Sequence, residues 1–218
     1  MSVSKVFENE NWVAVDKPAL WLTVPSRLGD DDARPCLGRI VEKETGKRIF
    51  PVHRLDFEVS GVVLFALSSK AHRIANQWFE THQVRKTYHA LSRGPVDEKF
   101  LAPLVWRSLL VRGKRRTFVA AHGQEAITEV RCIEPLSALG ALWELRPLTG
   151  KSHQLRVEMA NHGYPILGDN LYGGPKWPHP GIALHAVELD FSEISELDRL
   201  GLPRQLRSMV AKGTGLSG

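Results

Sequence analysis

A short polar cluster followed by an apolar run is the feature that most constrains this chain. Residues 51–67 read PVHRLDFEVSGVVLFAL, with the tetrad His53-Arg54-Leu55-Asp56 ahead of the run Val62 to Leu67. Because the run is short and rich in β-branched and aromatic residues, it predicts a buried strand. The tetrad then lies at the rim of a sheet, where a rigid scaffold can present side chains to a substrate.

Two side chains of the tetrad have chemical capacity. Arg54 is a permanent cation with several donors, and Asp56 is a carboxylate that can act as a base, a ligand or a nucleophile. An Asp two residues from an Arg is more often part of a surface ion-pair network, so catalysis needs support from the rest of the chain.

The composition indicates a globular protein. The chain has 218 residues, of which 43% are hydrophobic and 24% charged, enough for a sizeable core. Lys and Arg outnumber Asp and Glu by 29 to 24, which favours a polyanionic partner. The two cysteines, Cys36 and Cys132, argue against a disulfide framework or a Cys-rich zinc site. With no amino-terminal leader and no run long enough to cross a bilayer, we expect a cytoplasmic protein without a membrane partner.

Hydrophobic periodicity predicts more strands than helices. The strands are expected at residues 11–15, 62–67, 85–91, 125–133, 141–146 and 182–191, and the helices at residues 35–47, 68–83 and 152–161. Ser68 or Ser69 can cap the second helix and Ser152 the third. Because the two types do not strictly alternate, the predicted class is α+β with a mixed, mainly antiparallel sheet. We expect one domain over residues 1–218, with its core at 11–191 and a frayed tail over 203–218.

Two segments have both a structural and a functional interpretation. Asp16-Lys17-Pro18 indicates either a strand end with an exposed charge pair or part of a site. The basic hairpin, Trp106 to Phe118, contains no acidic residue and could track a phosphate backbone or be a solvated surface hairpin. Its cations are Arg107, Arg112, Lys114, Arg115 and Arg116.

Several familiar catalytic arrangements are missing from the sequence. It contains no GxGxxG fingerprint, no P-loop and no GxSxG elbow. Among nine histidines, His53 has a plausible ligand spacing to Asp56, but no HExxH or comparable cluster supports a metal, so we predict none. Asp56 and Glu58 share one face of an extended segment, which leaves a glycosidase-like carboxylate pair open.

The remaining candidates form one combination of chemical groups. Arg156 could hold Asp56 ionised, since an adjacent arginine lowers the pKa of a carboxylate and fixes its orientation. Tyr88 offers an aromatic face for a base, and Arg54 could fill a gap in a nucleic-acid stack.

Taken together, the motifs resemble those of the RluA-type RNA pseudouridine synthases. The tetrad with Ser60-Gly61 is the first match, and three more follow in the family's order. These are LTGKSHQLRV at residues 148–157, the loop at 163–172 with GDNLYG, and Leu184-His185-Ala186. The resemblance extends from about Asp16 to Leu189 and is highly specific in combination.

The resemblance implies a role for each candidate. Asp56 is then the catalytic aspartate, Arg156 its salt-bridge partner, and Tyr88 lies against the base. Arg54 occupies the space left by the flipped uridine. The family isomerises uridine in RNA without a cofactor: the glycosidic C–N bond breaks, the uracil turns, and C5 bonds to C1′. It also implies a central sheet in two halves with the catalytic cleft running across it.

The chain departs from the family pattern at four positions. Lys151 stands where arginine is usual, Glu158 where histidine is usual, Val59 where threonine is usual, and Leu20 where glycine is usual. These departures bear on substrate contacts and not on the reaction. The first motif begins near Asn11, which leaves no room for an amino-terminal RNA-binding module. The catalytic domain must then supply the RNA affinity.

The predicted function is a stand-alone, monomeric synthase acting on ribosomal or transfer RNA. Two alternatives remain open. One is an RNA-binding protein that keeps the fold but performs no chemistry. The other is a metal-dependent hydrolase that uses His53 and Asp56.

Overall fold

The structure, a computed structural model, describes residues 3–136 and 140–209. They divide into two compact units. Residues up to Arg85 together with those from Ala186 form the first unit, and Lys86–His185 form the second.

The described residues form eleven strands and three α-helices, numbered along the chain. The strands are β1 Lys5–Glu8, β2 Trp12–Lys17, β3 Phe50–Pro51, β4 Ser60–Ala66, β5 Arg85–Ser92, β6 Leu104–Arg112, β7 Thr117–Val119, β8 Gln124–Pro135, β9 Ala141–Pro147, β10 Leu184–Asp190 and β11 Gln205–Arg207. The helices are α1 Leu37–Thr45, α2 Ser69–Glu80 and α3 Gln154–Asn161.

The first unit is built on the antiparallel pair β2 and β4. Every residue of β2 is buried, and so is every residue of β4 after Ser60. Burial on both faces explains why β4 reads as a continuous apolar run. Helix α2 packs Trp78 against Trp12 and Phe191, with ring centroids 5.6 and 6.2 Å apart. The hydroxyl of Ser68 accepts from the Ala71 amide, which confirms the predicted cap.

Gly61 has a steric reason to be glycine. Its φ is +121°, and a Cβ added there would overlap the backbone of Ala186 in β10. The Ser60-Gly61 motif therefore permits a close approach of two backbones at the start of β4.

The second unit contains the strand order β5-β9-β8-β6-β7, and each of these neighbouring pairs is antiparallel. Six of the eight residues of α3 are buried, among them Arg156 and Glu158. Val157 of this helix packs against Leu110 of β6 and Ala126 of β8. The sheet face thus holds α3 in place. The α+β class and the mainly antiparallel sheet are confirmed.

Three sequence predictions need correction. Ser152 does not cap α3; the cap position is His153, whose φ is +55° and whose side chain makes no capping bond. Strand β2 continues through Asp16 and ends at Lys17, because both residues pair with β4. The tail does not fray at Gln205–Arg207, which pairs with β10 as β11. Residues 210–218 of the predicted tail lie outside the described residues.

No helix among the described residues is long and apolar enough to cross a membrane.

Candidate active site

The tetrad loop, residues 52–59 of the first unit, is held rigidly by its backbone. The Thr23 hydroxyl donates to the Leu55 carbonyl at 3.0 Å and accepts from the Leu55 amide at 3.2 Å. A turn closes where the Val59 amide donates to the Asp56 carbonyl at 3.1 Å. Leu55 is buried, Asp56 is half-buried and Arg54 is exposed. The loop therefore buries its apolar residue and leaves its two candidate residues at least partly exposed to solvent.

His53 fastens the same loop to β4. Its Nε2 accepts a hydrogen bond from the Leu64 amide at 3.0 Å, so a neutral ring carries its proton on Nδ1. The ring also stacks on Phe79, with centroids 5.0 Å apart. These contacts give His53 a structural role. No group of three potential metal ligands occurs within residues 3–136 and 140–209.

Lys17 binds the backbone of the tetrad loop, a structural role that the sequence patterns did not predict. Asp16 and Lys17 are 4% and 1% exposed, so the exposed charge pair expected at this strand end is wrong. The Lys17 ammonium donates to the carbonyls of Pro18, Trp21 and Phe57 at 3.0, 2.8 and 3.3 Å. Burial lowers the pKa of Lys17 to about 7, an effect that the nearby carboxylates Asp56 and Glu58 oppose. Phe57, the residue after Asp56, is thereby tied to the end of β2.

The position of Lys17 predicts a pH dependence of stability. Because the folded-state pKa is about 7 and the ordinary value is 10.5, the unfolded chain binds more protons between these values. The contribution of Lys17 to the free energy of unfolding therefore rises with pH above 7, by at most about 1.4 kcal/mol per pH unit. We expect the free energy of unfolding of wild type minus that of Lys17→Met, measured in urea, to increase from pH 7 to 9.5. Lys70→Met, at an exposed position on α2, is the control and should show a constant difference; equal slopes for both variants would contradict the prediction.

The backbone conformation at Leu20 shows why glycine is suited to this position. Its φ is +62°, in the left-handed region that glycine adopts without strain. The backbone conformation suited to glycine is thus present here, with a leucine side chain that is 39% exposed.

In the second unit, Arg156 is locked by a carboxylate that the sequence did not suggest. Its Nε and Nη2 donate to the two carboxylate oxygens of Asp169 at 2.7 and 2.8 Å. Both side chains are almost fully buried, with 2% and 1% exposed. The guanidinium lies over the ring of Tyr172, 5.5 Å from its centroid. The motif GDNLYG, which contributed to the resemblance, supplies both partners and was the available signal.

The candidate residues are distributed over both units. Asp56 and Arg54 belong to the first unit, and Tyr88 and Arg156 to the second. Tyr88 is half-buried on β5, opposite Leu145 of β9. The salt bridge between Asp56 and Arg156 stays a prediction.

Tyr172 joins the basic hairpin to the surroundings of Arg156. Its hydroxyl accepts from the Thr117 amide at 2.9 Å, donates to the Thr117 carbonyl at 3.0 Å, and lies 3.0 Å from Nδ1 of His153. Thr117 begins β7, the second strand of the hairpin. One side chain thus contacts the hairpin through its hydroxyl and the guanidinium through its ring. No individual role for Tyr172 was predicted from the sequence.

Removal of this hydroxyl separates the two contacts. Tyr172→Phe keeps the ring beneath Arg156 and leaves the Thr117 backbone groups without their partner. If the hairpin binds RNA, the KM for RNA should rise about fivefold to tenfold, in line with one or two lost hydrogen bonds, while kcat stays within about twofold. Tyr164→Phe, whose hydroxyl accepts from the Asp97 amide in the same unit, is the matched control. A fall in kcat at unchanged KM would refute the assignment.

The cations of the basic hairpin are not equivalent. Arg107 forms an ion pair with Glu125 of β8 at 3.1 Å, so a neighbouring strand provides the acid that the hairpin itself lacks. The others have no ion pair within the part of the chain that the structure describes. They are Arg112, Lys114, Arg115 and Arg116, all exposed.

Glu158, the departure from the usual histidine, is a buried structural group. It is 0% exposed and accepts hydrogen bonds from the hydroxyls of Ser108 at 3.0 Å and Thr128 at 2.6 Å. Burial raises its pKa. Gln154 continues this network by donating to Thr128 at 2.9 Å and accepting from the Lys151 amide at 3.0 Å. The expectation that Glu158 concerns substrate contacts is therefore wrong, since its carboxylate faces β6 and β8.

A comparison with protein families identifies the class of the chain. Residues 11–161, more than half of the chain, match the family described as RNA pseudouridylate synthase. The chain belongs to this family.

Three relatives agree with that assignment. A tRNA pseudouridine synthase C of Pectobacterium carotovorum is 37% identical over 179 residues, covering 77% of this chain and 47% of the relative. The protein of the same name from Vibrio vulnificus is 32% identical over 207 residues, covering 85% and 83%. A dual-specificity RNA pseudouridine synthase RluA of Pasteurella multocida is 33% identical over 195 residues, covering 85% of each chain. This chain therefore spans about half the length of the first relative and most of the other two.

A solved structure supports the fold. Human RNA pseudouridylate synthase domain containing 1 superposes with a TM-score of 0.72 at 24% identity, over 88% of this chain and 79% of the human one. The predicted family, fold class and enzyme class, an RNA pseudouridine synthase, are confirmed.

Proposed function

We propose that this chain isomerises uridine to pseudouridine in transfer RNA, with Asp56 as the catalytic carboxylate. The observation that carries the proposal is the tetrad loop, which fixes a half-buried carboxylate by contacts to its neighbours Leu55, His53 and Phe57. Such preorganisation is what a carboxylate needs when it must meet one atom of a sugar. Transfer RNA is proposed because two relatives are named tRNA pseudouridine synthase C, and ribosomal RNA is the second candidate.

The proposed roles follow from the chemistry of each group. Asp56 acts beside the ribose, either by attack on C1′ or by removal of the 2′ proton. Arg54, exposed next to it, fills the place of the flipped uridine in the RNA stack. Tyr88 lies against the uracil. Arg156, held by Asp169, is the proposed salt-bridge partner of Asp56 and would fix the orientation of that carboxylate.

The basic hairpin is proposed to bind the RNA backbone. Arg112, Lys114, Arg115 and Arg116 can each neutralise a phosphate. Arg107 contributes less, because Glu125 already neutralises it.

We also propose that both units act together as one catalytic domain over residues 1–218, as a cytoplasmic monomer without a metal or cofactor. The alternative of a catalytically silent RNA-binding protein makes the opposite prediction about turnover, which the following measurement decides.

The test is tritium release from RNA labelled at uridine C5, with transfer RNA and ribosomal RNA transcripts as substrates. Release by wild type and none by Asp56→Ala would establish isomerisation through this residue, and the reactive transcript would identify the RNA class. Equal release by both proteins would remove Asp56 from the mechanism. A stable RNA complex without release from any transcript would favour the silent binder.

A further inference from the structure

The second unit contains a cavity whose lining includes none of the candidate catalytic residues. It has a volume of about 420 Å³ and lies between the basic hairpin, the start of β8 and the loop that precedes α3. This cavity is here called the hairpin pocket. Its lining residues include Leu110, Arg112, Gln124, Lys151 and Ser152.

The hairpin pocket is positively charged. Arg112 and Lys151 contribute two cations, and no carboxylate from the described residues lines the cavity. Arg112 has no ion pair or side-chain hydrogen bond within the described residues, and the Lys151 ammonium bonds the neutral Gln124 amide oxygen at 3.0 Å. Neither charge is neutralised by an acid. The hydroxyl of Ser152 and the amide of Gln124 add further donors.

The walls of the hairpin pocket are held in place from behind. The Thr117 hydroxyl donates to the Ser152 carbonyl at 2.8 Å and so joins the hairpin to the loop before α3. The Lys151 amide donates to the side chain of Gln154 at 3.0 Å. A Cβ added at Gly123 would overlap the backbone of Leu109 and Leu110, so this wall closes only with glycine. A pre-formed site loses less entropy on binding than a flexible one.

We propose that the hairpin pocket binds one nucleotide of the RNA substrate other than the uridine that is isomerised. Its phosphate lies between the guanidinium of Arg112 and the ammonium of Lys151, and its base lies against the aliphatic wall at Leu110. Two cations facing one cavity match a phosphate, which accepts charge-assisted hydrogen bonds from both. The volume falls in the range of small-molecule sites, which is ample for one nucleotide. The choice of RNA over a free anion rests on the proposed function.

The lysine at position 151 gives this site a particular character. Arginine, usual here in the family, would offer a planar fork, whereas lysine offers a point charge. The pair Arg112 and Lys151 therefore supplies one fork and one point charge to the same phosphate.

A double-mutant cycle on the full chain tests the proposal. The variants are Arg112→Gln, Lys151→Gln and the double variant, and the probe is a transfer RNA transcript bound at several salt concentrations. Each single variant should weaken binding about tenfold. The double variant should weaken it by clearly less than the product, because both residues hold one phosphate. In the double variant the slope of log K against log salt concentration should fall by about 0.7 to 0.9, the value for one lost phosphate contact. Lys151→Arg keeps the charge and should bind the transcript about as tightly as wild type.

The matched control removes the same two charges elsewhere in the second unit. Lys99→Gln with Arg131→Gln serves this purpose, since these exposed cations pair with Asp97 and Glu144 at 2.7 and 3.1 Å. The control should stay within about twofold of wild type. A double variant equal to the product of the single effects, or to this control, would overturn the proposal.

Pseudouridine formation by wild type on the same transcript is measured in parallel. If wild type forms pseudouridine but the effects of Arg112→Gln and Lys151→Gln are independent, only the proposal for the hairpin pocket is overturned. Binding without turnover contradicts the proposed function, while the coupling between Arg112 and Lys151 still decides the pocket. Melting temperatures near wild type confirm that each variant is folded.

Discussion

Asp56→Asn is expected to reduce pseudouridine formation by more than about a thousandfold, because an amide can neither attack C1′ nor accept the 2′ proton. The fold and the affinity for RNA should stay near wild type. The change is almost isosteric, and the tetrad loop is fixed by Thr23, Lys17 and Leu64 through other residues. The measurement combines tritium release, RNA binding and thermal melting on one preparation.

Glu58→Gln is the matched control for this experiment. Glu58 is a half-buried carboxylate on the same loop, two residues away. It should retain activity within about tenfold if Asp56 acts alone. Equal losses in the two variants would instead support a pair of cooperating carboxylates, and normal turnover by Asp56→Asn would exclude Asp56 as the catalytic group.

Arg156→Ala is expected to cost both activity and stability. It leaves the Asp169 carboxylate buried without its bidentate partner, a change that costs about 3–5 kcal/mol in comparable sites. The free energy of unfolding in urea should fall by that amount. Arg146→Ala, which removes an exposed arginine of β9, is the control and should change stability by less than about 1 kcal/mol.

A second variant separates the structural contribution of Arg156 from its proposed effect on Asp56. Arg156→Met combined with Asp169→Leu replaces the buried ion pair with apolar side chains, which often restores stability. We expect this double variant to regain most of the stability and none of the activity. Recovery of activity would show that Arg156 serves only the fold, and an unchanged melting temperature in Arg156→Ala would show that the pair with Asp169 contributes nothing.

Sequence patterns correctly predicted those elements that depend on interactions between residues close together in the chain. The apolar run after the tetrad became β4, Ser68 became the cap of α2, and the basic hairpin became β6 and β7. Periodicity and capping depend on residues a few positions apart, so a single sequence contains them. Helix α3 shows where this stops. Its start at Gln154 was set by contacts of the preceding loop to Thr117 and Gln154, and not by a serine cap.

The sequence by itself indicated the class of enzyme, because its motifs resemble in order and spacing those of the RluA-type RNA pseudouridine synthases. Only the tertiary structure decided which groups hold those residues in place. Asp169 pairs with Arg156, the carbonyl of Phe57 binds Lys17, and Glu158 binds Thr128. These partners are 13, 40 and 30 residues apart. A buried charge needs a partner, and packing can supply that partner from any part of the chain. The sequence separation between the two residues is therefore determined by the fold and not by the local sequence.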